Sequence, residues 1–560
     1  MKHQPPTDHG HAISPKVRLR DYQTEALARV KAAYKSGKRR VLVSLPTGTG
    51  KTVVFASFPN ELNMRKRLLV LAHREELLLQ AEEKFRSIDP GLKVGFERAD
   101  AYATNDSRVV IASVPTLARS DGARLSRFNP DEFSIVVVDE AHHAVADSYR
   151  RIFRHFGLFT PGTSRFLVGF TATPRRGDNQ GLGGVFEEVC YARDLREMID
   201  VGYLCPIRGW RIDTDLSLDG VKIRHGDFVE SQLAKVVNTP HRNSLLPAVY
   251  RRLANFRRAI VFCVDVQHAK DMSEVFTDAG VRAAAVWGEM PKEERRQTLS
   301  RFSRGEISVL TNCNLLTEGF DEPRINCVFM ARPTKSKLLY AQMVGRGTRL
   351  HPEKTDLMVV DVADNSKAHK LPGLDTLFNL PANMNLEGGR ALDVEREIER
   401  MNRVSPWIDT SRLCKVEDIQ LAAKRIEFFN FDPPPELAGH TANTWYGATG
   451  GYRLNLPQGE SLTIESNLLD TWDVRLCSHG RSRILAQAGS LSRAAAIADT
   501  FVSVERPDAV KFVERFADWR SGLPTAKQIE ALTRRRIPVP EGLTKGQASQ
   551  MISQLFASSG

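Results

Sequence analysis

Seven consecutive residues, Pro46-Thr47-Gly48-Thr49-Gly50-Lys51-Thr52, combine the chemistries that a bound triphosphate needs. Gly48 and Gly50 permit a tight loop whose backbone N–H groups converge on phosphate oxygens. Lys51 supplies a cation for the β- and γ-phosphates, and Thr52 a hydroxyl for Mg2+ at a helix N-terminus. Asp139-Glu140-Ala141-His142 places two adjacent acids directly after the apolar run Ile135 to Val138. There Asp139 can hold the metal through its waters, and Glu140 can orient and deprotonate an attacking water. A helix N-cap acid is the purely structural alternative for this pair. Arg346 and Arg349 are three apart, so on a helix they would leave one face. Presented across a cleft to a nucleotide, they would act as arginine fingers, and a solvated surface pair is their bland alternative.

These groups need a scaffold that brings them together. Val41 to Leu45, Leu68 to Ala72, Val109 to Ser113, Ile135 to Val138 and Phe166 to Phe170 are continuous apolar runs of the kind that form parallel strands buried on both faces. Amphipathic stretches such as Glu75 to Phe85 separate them, which predicts a doubly wound α/β domain. A second series follows Pro206: Ala259 to Val264, Ala283 to Trp287, Ser308 to Asn312, Asn326 to Met330 and Leu357 to Val360. Two such domains form a cleft, and ligands of α/β sheets bind at the carboxyl ends of the strands.

Composition sets the outer bounds. The 560 residues carry 79 Lys+Arg against 67 Asp+Glu, a net charge of +12, with 42% hydrophobic residues. That excludes collagen, coiled coil and wholesale disorder, and predicts three to five globular units. Residues 410–560 hold 18 basic and 16 acidic side chains, so +10 of the charge lies in the first 409 residues, which carry the phosphate-binding motifs. A polyanionic partner there is the physical reading. The seven cysteines are scattered and never form a C-x-x-C pair, arguing against a disulfide framework or a zinc site. Neither a secretory signal nor a membrane-spanning run is visible, so a cytoplasmic, nucleoid-associated location is expected.

With these residues in place, the chain resembles the superfamily 2 helicases, through motifs in the family's order from Arg18 to about Asp361. Arg18-Leu19-Arg20-Asp21-Tyr22-Gln23 resembles the adenine-reading motif, which implies nucleotide contacts from Arg20 and, at the base edge, Gln23. His73-Arg74 and Ser113-Val114-Pro115-Thr116 resemble motifs Ia and Ib, implying that His73, Arg74 and Thr116 touch the nucleic-acid backbone. Thr171-Ala172-Thr173-Pro174 resembles motif III, whose Thr171 and Thr173 would couple hydrolysis to motion. Val261-Phe262-Cys263 is similar to motif IV. Thr311 to Pro323 is similar to motif V, with Thr311 and Thr317 on nucleic acid and Gly319 and Asp321 on the nucleotide. Gln342 to Arg349 resembles motif VI, adding Gln342 to Lys51, Asp139, Glu140, Arg346 and Arg349 as catalytic residues. The Pro46 to Thr52 loop, Pro46, Thr47 and Thr49 included, is the helicase form of the phosphate loop, and Leu45 stands where its commoner form has glycine.

Thr317 to Pro323, Ala331 to Thr334 and Gly345 to Leu350 look most like the RadD- and XPB-like DNA helicases. The RadD pattern includes a Cys-rich zinc element that has no counterpart here. The resemblance implies an α/β fold of two tandem RecA-like domains at 18–205 and 206–370. A tail would precede them at 1–17, a linker or irregular region would follow at 371–440, and a small β plus helical accessory domain at 441–560. It implies ATP and Mg2+ as ligands, and DNA, duplex, branched or single-stranded, as partner, in repair or recombination. The motor subunit of a restriction or defence complex, and an RNA helicase, are the alternatives. In the accessory region Tyr452 to Arg475 alternates as a small antiparallel unit does, and helices are predicted near Arg493 to Val502, Asp508 to Trp519, Lys527 to Arg535 and Lys545 to Phe556. Trp445, Tyr446, Tyr452 and Trp472 there fit base stacking or, as the favoured reading, a sheet core. Arg534 to Arg536 fit phosphate contact or a helix-dipole role.

Overall fold

The computed structural model describes residues 18–557 apart from 120–121, 173–180, 225, 318, 366–370, 405–408, 429–435, 438, 449, 468, 479–480, 515–516, 536, 538 and 540–542. The expected tail at 1–17 and Thr173, expected to couple hydrolysis to motion, lie outside these, as does Arg536. Contact between segments divides the chain into two units, 1–395 and 396–560.

The first unit holds two parallel sheets. β1 (Arg40–Ser44), β2 (Arg67–Ala72), β3 (Val94–Glu97), β4 (Val109–Ser113), β5 (Phe133–Val138), β6 (Phe166–Thr171) and β7 (Glu188–Ala192) pair in the order β3-β4-β2-β5-β6-β1-β7. Every pairing is parallel, and the central strands are buried along almost their whole length, as continuous β-branched runs require. Leu69, Val110, Val136 and Phe153 are among the core side chains on one face. β6 sits between β1 and β5, so the strand ending in motif III separates the phosphate loop from the acidic pair, and Leu45 N donates to Thr171 O at 2.9 Å.

The second sheet comprises β8 (Ile207–Ser217), β11 (Ala259–Phe262), β12 (Ala283–Val286), β13 (Val309–Asn312), β14 (Cys327–Met330) and β15 (Leu357–Asn365), ordered β12-β13-β11-β14-β15-β8, while β9 (Ile223–Arg224) and β10 (Asp227–Phe228) make a two-residue ladder outside it. β8, which no apolar run announced, pairs with β15 from Ile207 opposite Leu357 onward. The stretch 371–440, expected to be irregular, carries the helices Ala391–Val404 and Val416–Phe428. Its Pro-, Asn- and Gly-rich opening segment masks the amphipathic periods that follow.

The second unit is an antiparallel meander of β16 (Tyr446–Ala448), β17 (Gly451–Asn455), β18 (Ser461–Ser466), β19 (Trp472–Ser478) and β20 (Arg481–Ala488). Leu454, Leu462, Ile464 and Val474 form one core with Ala494, Ala495, Ala498 and Val502 of the helix Leu491–Glu505. Trp445 is fully buried in that core, and Tyr452 and Trp472 lie against it with ring centroids 6.0 Å apart. Tyr446 is buried as well. The favoured core role therefore describes these aromatics. The helix expected over Asp508–Trp519 is shorter: it runs from Pro507 to Val513, and a separate 3-10 turn covers Asp518–Ser521.

Candidate active site

The phosphate loop turns off the carboxyl end of β1. Gly48 and Gly50 both adopt positive φ, 89° and 75°, which only glycine takes without strain. Thr49 Oγ1 donates to Pro46 O at 2.7 Å, a bond that closes the loop from within. Thr52 lies in the first turn of the helix Lys51–Ala56, whose N-terminal N–H groups are free of intrahelical partners and suit an anion. Lys51 Nζ donates to Leu45 O at 3.3 Å and lies 3.9 Å from Glu140 Oε1.

Glu140 itself has φ 50° and ψ 54°, a left-handed conformation that costs a glutamate about 1–3 kcal/mol and clusters at functional sites. Its backbone N–H donates to Asp139 Oδ1 at 3.0 Å, and its Oε2 lies 3.3 Å from His142 Nδ1. The strained turn thus brings the Glu140 carboxylate toward Lys51, while Asp139 accepts the backbone N–H of Glu140.

A cavity of about 290 Å3 joins these groups to the second sheet's loops. Arg20, Thr47, Gly48, Gly50, Lys51, Thr52, Asp139, Glu140, Gly319, Asp321, Arg346 and Arg349 all line it. The site therefore gathers residues from five segments of sequence. A magnesium ion fits the donor set: Thr52 hydroxyl and Asp139 carboxylate are hard oxygen ligands. Among the described residues no cluster of three metal-ligating side chains exists, so most of the shell of a cation held there would have to come from phosphate oxygens and water.

The arginine pair does not ride on a helix as its spacing suggested. The helix Lys337–Gly345 ends one residue before Arg346, and both arginines lie in the turn beyond it. They converge on one carbonyl: Nη1 of Arg346 and of Arg349 donate to Phe320 O at 3.0 and 3.3 Å. Arg349 Nε also pairs with Asp321 Oδ1 at 3.1 Å. Burial lowers the Arg349 pKa, a shift that leaves a guanidinium charged. Lys354 is buried beneath this turn and donates to the carbonyls of Gly347 and, at 2.9 Å, Arg349.

The second lobe sits directly on the phosphate loop. Thr348 Oγ1 donates to Thr47 O at 3.3 Å, and a Cβ on Gly345 would lie 2.6 Å from Thr47 Cβ. Farther along the cleft Arg74 Nη1 donates to Asn314 O at 2.9 Å, Gln80 Nε2 donates to Gly319 O, and Glu75 and Glu76 meet Lys292 and Arg295 at 2.9 and 3.4 Å.

Several of the residues expected at ligands make bonds within the protein. Gln23 spends its amide on the loop backbone: Nε2 donates to Thr49 O and Oε1 accepts from Arg20 N, both at 3.0 Å. Gln342 is buried and does not line the cavity, and its amide nitrogen has no hydrogen-bond partner among the described residues. The hydroxyls of Thr311 and Thr317 are buried and donate to Ala269 O and Asn314 O at 2.7 and 2.8 Å, and buried Thr116 accepts from Ala99 N at 3.3 Å. Each of these three hydroxyls makes a bond within its own lobe: Thr311 of β13 to the helix Val266–Asp278, and Thr317 and Thr116 to neighbouring loop backbone. Thr171 is fully buried at the end of β6. His73 packs edge-on against His143, ring centroids 4.2 Å apart. Conversely the cavity includes Gln80, Lys84 and Tyr203, which no motif flagged. Tyr203 lies edge-on to Tyr22 at 4.6 Å, whose hydroxyl donates to Thr49 O at 2.5 Å, making an aromatic wall beside Arg20.

Comparison with known proteins agrees with this geometry. Residues 16–176 match the family model for the type III restriction enzyme res subunit, 242–351 the helicase conserved C-terminal domain, and 435–559 the C-terminal domain of the mitochondrial helicase Irc3. A Schizosaccharomyces pombe protein named as mitochondrial ATP-dependent helicase irc3 is 30% identical over 96% of this chain and 90% of its own length. The Saccharomyces cerevisiae protein named as ATP-dependent helicase IRC3 is 36% identical over 61% of this chain, which spans about half, 51%, of that relative. Among solved structures, a fragment of an HsdR subunit of a type I restriction enzyme from Vibrio vulnificus is 28% identical with a TM-score of 0.50, covering 62% of this chain and 65% of that one. No described helix is long and apolar enough to cross a membrane.

Proposed function

We propose that this chain, which belongs to the Irc3 family of superfamily 2 ATP-dependent helicases, uses ATP hydrolysis to move along and remodel DNA in repair or recombination. The observation that carries the mechanism is the convergence of Lys51, Glu140, Arg346 and Arg349 on one cavity built by both lobes. Lys51 holds phosphate oxygens, and Glu140, fixed by its turn, orients a water and accepts its proton. Arg346 and Arg349 neutralise charge that develops on the transferred phosphoryl group. When bound, magnesium, held by Thr52 and Asp139, supplies further neutralisation of the phosphates.

Since the arginines belong to the second lobe, hydrolysis requires that lobe to be seated on the loop. Opening and closing of the seat would then shift the two lobes along a strand once per ATP. The net +10 of the first 409 residues supports a nucleic-acid path over this part.

The test compares ATPase stimulation by single-stranded, duplex and branched DNA and by RNA. Branched or duplex DNA giving the highest rate is expected, and RNA outstripping every DNA would overturn the choice of substrate. A second reading, the motor of a restriction or defence complex, draws on the res-subunit match over 16–176 and the HsdR likeness. Co-purification with a nuclease subunit would favour it.

A further inference from the structure

At the amino ends of the first sheet's strands, opposite the phosphate loop, lies a cleft of about 400 Å3 that the ATPase does not use. Val30 of the helix Asp21–Lys35, Ile135 of β5 and Phe166 of β6 form its apolar floor, all buried. Leu62 and Met64 of the loop before β2 form one wall, and Tyr34, 41% exposed, stands at the mouth. Charge on the rim is one-sided. Lys31 pairs with Glu61 at 3.7 Å, but Lys35, Arg65 and Lys66 are exposed, and none has a carboxylate partner among the described residues.

We propose that this cleft docks an acidic protein segment carrying one aromatic side chain. The volume lies in the range of pockets that bury a compact ligand group, and an apolar floor rewards a ring far more than a polar one. Three cations around that floor with no carboxylate partner among the described residues attract carboxylates flanking the ring and raise the rate of encounter. A nucleic-acid duplex matches the rim but not the floor, since its bases are stacked inside and its outer surface offers phosphates. A membrane matches neither, because the apolar part here is concave. The partner would engage the lobe at the end remote from the nucleotide, so it can remain bound while the cleft between the lobes opens and closes.

The test uses the full chain and a fluorescein-labelled heptapeptide, Asp-Glu-Asp-Phe-Glu-Asp-Glu, followed by anisotropy. Binding is expected, weakening several-fold between about 50 and about 300 mM NaCl as exposed charges are screened. Replacing the peptide's Phe by Ala should weaken it by about tenfold or more, the worth of a buried ring. The double variant K35E/K66E should also lose about tenfold, while its DNA affinity and DNA-stimulated ATPase stay at the parent level. Failure of the peptide to bind would overturn the proposal, as would equal binding of the Ala peptide. A double variant that binds the peptide normally, or that loses DNA affinity, would overturn it too, the latter because the rim would then serve nucleic acid.

Discussion

Gly345→Ala tests whether the contact between the second lobe and the phosphate loop is the catalytic arrangement. Gly345 closes its helix with an ordinary negative φ, so the backbone accepts alanine. The added Cβ, however, would lie 2.6 Å from Thr47 Cβ and 3.2 Å from Thr47 Cγ2 and Oγ1, on the opposite lobe. Relief to ordinary contact needs a displacement of about 0.8 Å, taken as the gap between 2.6 and 3.4 Å. Overpacking of this size costs about 1–3 kcal/mol. Because the clash lies between lobes, opening the cleft relieves it and each lobe's own fold is spared. The cost therefore falls on the seated state that presents Arg346 and Arg349, and a shift near 1 Å is worth about 10²-fold in rate. DNA-stimulated ATPase of the variant should drop between about fivefold and a hundredfold, with thermal unfolding close to that of the parent. An unchanged rate would show that hydrolysis does not use this contact. A matching loss of thermal stability would show that the glycine serves folding instead.

Lys51→Ala and Glu140→Gln should each abolish nucleic-acid-stimulated ATP hydrolysis in a phosphate-release assay, and full activity in either would remove that residue from the mechanism. Lys354→Met leaves the Gly347 and Arg349 carbonyls without their buried donor, which should cost about 1–3 kcal/mol and lower kcat with little change in KM for ATP. A raised KM alone would point to ground-state binding. His268 is fully buried, accepts the Val264 N–H on Nδ1 at 3.2 Å, and is pushed down to about 3 by burial and by Arg242. Its folded pKa lies below the unfolded 6.5, so the folded state binds fewer protons and stability is lost as pH falls below that value. The loss is on the order of 2 kcal/mol by about pH 5. His268→Gln should flatten the acid limb of a plot of Tm against pH, and an unchanged limb would contradict the neutral buried state.

Legibility followed how local each feature is. The phosphate loop and the Asp139-Glu140 turn are contiguous and follow uniformly apolar strands, so their chemistry could be read from residue type and spacing. β7 and β8 were missed because they are edge strands with mixed burial, and the Asp213, Thr214, Asp215 stretch of β8 dilutes any apolar run. Where a hydroxyl points is a tertiary fact, so the internal bonds of Thr116, Thr311 and Thr317 could not be read from the motifs. The arginine pair's true geometry depends on a helix stopping at Gly345 with neither proline nor a left-handed cap to signal it. Tyr203, Gln80 and Lys84 reach the cavity only through packing, which no spacing rule foresees.

The pairing of β8 with β15 bears on how the chain is made. The second lobe's earliest strand fills the sheet edge beside its latest one, Ile207 opposite Leu357, with the remaining strands of the lobe synthesised in between. During translation β8 must wait, without its sheet partner, until almost the whole lobe has left the ribosome. Closing so long a loop carries an entropic cost and slows folding. Cys205 and Pro206, which lead into β8, are meanwhile joined to what will become the far end of the lobe: Cys205 N donates to Thr348 O, and Leu357 N to Pro206 O, each at 2.8 Å. The nascent first lobe can complete its own sheet much earlier, so its phosphate loop would be formed while its arginine partners are still being added to the chain.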